Sequence, residues 1–121
     1  MIQTPEEGKG ETQSIRLSGT SATTLVDAGN AGCRVEDILI VNMGSGTPDI
    51  TIDRYDGTTA FVFVQEHSPT AKSTEGGDTT KFPGSTYRLT FPIYLLKSEL
   101  LRVTSTVGSN VVHCHATLVR P

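Results

Sequence analysis

The chain has 121 residues, enough for one domain and a single core, with 36% apolar residues and a formal net charge of −3. Its ten Lys and Arg are scattered, which argues against the clustered basic footprint of a nucleic-acid binder. The longest apolar runs, Ile38–Val41 and Ala60–Val64, are far too short to span a bilayer, and the start Met1-Ile2-Gln3-Thr4-Pro5-Glu6-Glu7 has neither the basic nor the apolar segment of an export signal.

In chain order, residues 1–13 hold Pro5, Glu6, Glu7, Gly8, Lys9, Gly10 and Glu11, too little apolar surface to offset the cost of ordering. This predicts a flexible N-terminal arm followed by one domain over residues 14–121. Ser14–Ser18 alternates with Ile15 and Leu17 on one face, and Ala22–Asp27 reads as a second, weak strand. After a loop at Ala28–Gly32, Cys33–Met43 is the strongest strand. Ile38 and Ile40 back onto Leu39 and Val41, so both faces are apolar and a central place in a sheet is expected.

Thr47–Tyr55 alternates, with Ile50 and Ile52 on one face and Asp49, Thr51 and Asp53 on the other. Asp56-Gly57 supplies the positive φ of a tight turn, and Thr59–Glu66 returns, which predicts a hairpin over residues 47–66. His67–Ser85 is a long polar connection, of the kind that serves function or stays disordered. Thr86–Phe91 is a strand, and Pro92 marks an edge or a bend because it cannot donate to a ladder. Ile93–Val103 reads as two strands turning at Lys97-Ser98. A helix is the alternative, since Ile93, Leu96, Leu100 and Val103 also match helical spacing. Asn110–Arg120 alternates, with Val112, Cys114, Ala116 and Leu118 inward and Val111, His113, His115 and Thr117 outward. About eight strands and short turns predict an all-β, two-layer antiparallel β-sandwich, jelly-roll-like.

Candidate chemistry is sparse. His113 and His115 share one face of a strand, a spacing found in metal sites, but Cys114 points the other way. His67, the remaining histidine, sits at a loop edge, short of the four ligands that a structural zinc site takes. Cys33 and Cys114 are too few for a disulfide framework; reduced apolar fillers are expected, with a bridge across the sandwich as the alternative. Asp49, Asp53 and Asp56 miss the spacing of a calcium loop, and Asp53 and Asp56 are expected to solvate the hairpin and shape its turn. A paired-carboxylate hydrolase needs one acid raised and one depressed, and the sequence singles out neither. Gly44-Ser45-Gly46 follows an apolar strand but leads into Pro48 and another strand, not the helix of a dinucleotide fold. No catalytic, cofactor-binding or metal-binding residue is assigned, and no cofactor is expected.

The order of segments carries a resemblance. Ser18-Gly19-Thr20-Ser21-Ala22-Thr23-Thr24-Leu25 leads toward Ile38-Leu39-Ile40-Val41-Asn42, then Asp49-Ile50-Thr51-Ile52, Phe91-Pro92-Ile93-Tyr94-Leu95 and Leu100-Leu101-Arg102-Val103. Over residues 14–120 this resembles the small β-sandwich structural proteins of tailed-phage particles, namely capsid decoration (cement) proteins and neck or tail accessory proteins. The resemblance lies in rhythm, and it brings no functional residue with it. It implies a non-enzymatic virion protein made in the host cytoplasm, a homo-oligomer with a trimer favoured. Its partners would be the major capsid protein or other virion proteins, with no nucleic acid and no membrane. A carbohydrate- or receptor-binding sandwich is the alternative; the lack of Trp, with only Tyr55, Tyr87 and Tyr94 as tyrosines, argues against a sugar platform.

Overall fold

A computed structural model of the chain describes residues 9–44, 48–67, 85–90 and 92–121. The polar connection expected between His67 and Ser85, Ser45 and Gly46 of the expected turn, Thr47 and Phe91 at the ends of expected strands, and the first eight residues of the expected arm lie outside these. The described residues form strands β1 (Lys9–Arg16), β2 (Thr23–Asp27), β3 (Cys33–Asn42), β4 (Ile50–Tyr55), β5 (Ala60–His67), β6 (Ser85–Leu89), β7 (Ile93–Leu95), β8 (Leu100–Ser105) and β9 (Val112–Arg120).

The pairing is nested. β4 and β5 form the innermost hairpin, closed at Asp56-Gly57 as the sequence predicts. Outside them β3 pairs with β6 and β7, then β2 with β8, and finally β1 with β9. The chain is thus one long hairpin folded at Asp56-Gly57. Two further pairings, β3 with β9 and β4 with β8, roll it into two antiparallel sheets. The first sheet runs β1-β9-β3-β6, with β7 also on β3, and the second runs β2-β8-β4-β5. This is the jelly-roll arrangement of two facing sheets.

The core lies between the sheets. Ile38, Ile40, Cys114, Ala116 and Leu118 from the first sheet meet Ile50, Ile52, Leu101 and Val103 from the second, and all are buried. Each large aliphatic side chain among them contributes about 1.5–3 kcal/mol by leaving water. The alternation read from Val112–Leu118 is the alternation observed. β3 is central, as expected, but it changes face once. A bulge between Val35 and Asp37 puts Cys33 and Val35 inward before it, and Ile38, Ile40 and Asn42 inward after it. A second bulge in β2 buries Leu25 and Val26 together.

Opposite the bulge of β3, the edge strand is interrupted. β6 pairs with Ile38–Asn42 and β7 with Cys33–Val35, so they form one edge broken around Pro92, where the sequence predicts a bend. Ile93–Val103 is two strands and not a helix. Ser98 turns with φ 65°, the Glu99 carboxylate accepts the Leu96 N–H at 2.7 Å, and the Ser98 N–H donates to the Gly29 carbonyl at 2.7 Å.

One boundary differs from expectation. Residues 9–13, placed by composition in the flexible arm, belong to β1, where Lys9–Gln13 pair with Arg120–Ala116. The Arg120 guanidinium donates to Glu11 at 2.8 Å, a contact spanning most of the chain and therefore invisible to local composition.

Candidate docking surfaces

The outer face of the first sheet carries the two histidines. Register places Arg16 and Val41 on either side of His113, and Ser14 and Leu39 on either side of His115. The Nε2 of His113 lies 3.0 Å from the Asn110 carbonyl, and the Nδ1 of His115 lies 2.8 Å from the Ser14 hydroxyl. Ser14, Ile15, Arg16, His113 and His115 line an open depression of about 280 Å³. Cys114 points into the core, as the alternation requires. Among the described residues no three His, Cys, Asp or Glu side chains gather as a metal site.

The cysteines do not meet. Cys114 lies opposite Ile40 and Cys33 opposite Leu95, both in the first sheet. Seven positions along β3 separate them, roughly 20 Å at the usual rise, against the ~7 Å limit for a bridge. Both are free and buried. Burial pushes the Cys114 thiol up to about 12, and raises Cys33 as well.

The three aspartates divide. Asp56 shapes the β4–β5 turn, accepting the N–H of Thr59 at 2.7 Å and of Thr58 at 2.9 Å; these bonds hold its carboxyl below the ordinary value. Asp53 does not solvate the hairpin. It is only 4% exposed, because Arg102 directly opposite donates to it at 2.9 Å and lies 3.9 Å over the Tyr55 ring. Asp49 is tied to the residue after β8 through its N–H, which donates to the Thr106 hydroxyl at 2.9 Å.

Sequence reasoning missed the apolar edge. β5 is the outermost strand of the second sheet, and Phe61, Val62 and Phe63 are 44%, 50% and 39% exposed. Phe61 is covered on one side by the Arg54 guanidinium, 4.7 Å from the ring centre. An unbroken apolar run is the expected signature of a buried strand, so only topology could place this one at an edge. Tyr94 and Leu96 form a second exposed pair, at the end of β7.

No family model matches the chain, and no curated protein matches it. Solved structures do match. A chain of the acidic stable capsid of Helicobacter pylori bacteriophage KHP30 aligns with a TM-score of 0.53 at 12% identity, over 92% of this chain and 84% of that one. The Eiger TNF of S. frugiperda gives a TM-score of 0.55 at 16% identity, over 90% and 85%. A chain of the T13 IBDV viral particle gives 0.50 at 12% identity, over 93% of this chain but only 31% of the viral one. At such identities the likeness is one of fold, and it is the fold that this chain shares with phage and viral capsid proteins.

Proposed function

We propose that the chain is a non-enzymatic structural protein of a virus particle. Within that class, it is a capsid decoration protein that docks on and stabilises a phage head as a homo-oligomer, with a trimer favoured. The observation that carries this reading is the nested two-sheet topology, matched by the KHP30 capsid chain over most of both chains. The site chemistry agrees with it. Asp53 and Glu11 are held in ion pairs, Asp56 caps a turn, and both thiols are buried.

A decoration protein needs a rigid body and contacts repeated by symmetry, where avidity multiplies weak interfaces. The continuous core supplies the first, and the exposed Phe61–Phe63 edge is a natural contact with the major capsid protein or another virion protein. A neck or tail accessory role would use the same features. The second reading is a receptor- or carbohydrate-binding module; the TM-score of 0.55 to a TNF favours it, since the fold is not confined to virus particles.

The test is sedimentation of the purified protein with phage heads assembled without it. Saturable binding at a fixed ratio to the shell protein, and heads that withstand higher temperature, are expected. A protein that neither co-sediments nor self-associates sinks the decoration reading, and glycan-array binding in its place selects the alternative.

A further inference from the structure

We infer that the depression between β1 and β9 is a binding site for a single oxyanion, either a free phosphate ion or a carboxylate side chain of a partner chain. The inference stands on the geometry of this face and not on the virion reading.

The first observation is Arg16. Arg34, Arg54, Arg88, Arg102 and Arg120 each pair with a carboxylate, namely Glu36, Glu99, Asp37, Asp53 and Glu11. Arg16 has no such partner among the described residues, and it lines the depression. The other polar lining groups are Ser14, His113 and His115, and among the described residues no carboxylate lines the site. On the β3 side, the neighbours of the two histidines are the uncharged Leu39 and Val41. The next outward side chain along β3, Asp37, accepts two bonds from Nε and one from a terminal nitrogen of Arg88.

The second observation is how the rings are held. A carbonyl only accepts, so the Nε2 of His113 carries the hydrogen shared with Asn110, and its Nδ1 is left over. The Nδ1 of His115 is engaged by Ser14, which leaves its Nε2. Among the described residues each ring therefore has one uncommitted nitrogen. Cross-strand neighbours stand about 5 Å apart and residues i and i+2 about 7 Å apart, so Arg16 and the two rings frame a space fit for one tetrahedral or planar oxyanion. Arg16 supplies a fixed positive charge, and its bonds to an oxyanion are charge-assisted. A cation would have to bind beside Arg16 on two rings alone, with no third ligand gathered among the described residues.

The experiment is an NMR titration of the isotope-labelled full chain, following the side-chain signals of Arg16, His113 and His115. Inorganic phosphate is the first probe and an acetylated aspartate amide the second, each at pH 5.5. Saturable shifts confined to this face are expected. Arg16→Gln and His115→Gln should each weaken binding several-fold while the remaining spectrum stays in place. The tighter probe identifies the source of the anion. The inference is overturned by the absence of saturable shifts at pH 5.5, by Arg16→Gln binding as well as the parent, or by stoichiometric zinc binding to the two rings that phosphate does not displace.

Discussion

Gly32 turns with φ +75°, and a Cβ added there would sit 2.6 Å from the Leu95 carbonyl oxygen. Strain and collision act together, so Gly32→Ala is expected to cost about 2–3 kcal/mol. Gly57 has φ +100° but open space around it, and Gly57→Ala should cost only about 1 kcal/mol, the backbone part alone. Urea midpoints of the two variants check the contrast, and equal losses would show that the collision at Leu95 is relieved. The thiols give a second check at this scale. Cys114 is 0% and Cys33 7% exposed, and desolvation keeps both protonated. A thiol-exchange reagent at pH 8 should react slowly with the native chain and titrate both residues once urea unfolds it. Fast native modification of Cys114 would mean that β9 opens readily.

Strand β1 is fastened to β9 partly by charge. Glu11 accepts from Arg120 and, second, from Gln13, and these bonds hold its carboxyl below the ordinary glutamate value. A carboxyl depressed in the folded state contributes stability that is complete above the unfolded value and is lost as pH falls through the folded one. β1 should therefore loosen from β9 below the ordinary glutamate range, seen as selective shifts of β1 amides in an acid titration. Glu11→Gln should weaken the strand at neutral pH and flatten that part of the profile; an unchanged profile would assign the acid response elsewhere.

The same strand shows what was legible. Asp56-Gly57 announced its hairpin, because the turn chemistry is local, and Pro92 and Ser98 punctuated a segment whose spacing alone also allowed a helix. β1 from Lys9 to Gln13 was not legible, since its partners lie at Ala116–Arg120. The face change in β3 left a trace, the adjacent polar pair Glu36-Asp37 inside an alternating run, which marks an extra residue. Asp53 was placed on its outer face correctly, but its burial depends on Arg102 and Tyr55 closing over it. Arg16 was legible as a residue and not as an unpaired one, because pairing is a property of the assembled face.

For the whole molecule, the nested hairpin makes every pairing among the described strands except β4–β5 distant in sequence, with Lys9 opposite Arg120 the extreme. Loop closure must come before those contacts form, so refolding is expected in the millisecond-to-second range and not in microseconds. Stopped-flow refolding from urea measures it, and a microsecond phase carrying the full amplitude would contradict a fold held mainly by long-range pairings.

The two edges on the β5–β6 side differ from a plain ribbon. The β6–β7 edge is cut around Pro92 beside the Glu36 bulge, and β5 meets β4 with its register shifted twice. A neighbouring copy laid along either border would find only a few consecutive amides to zip onto before the backbone turns away. Such interrupted borders disfavour edge-to-edge growth into fibres, even with an apolar border as open as Phe61–Phe63.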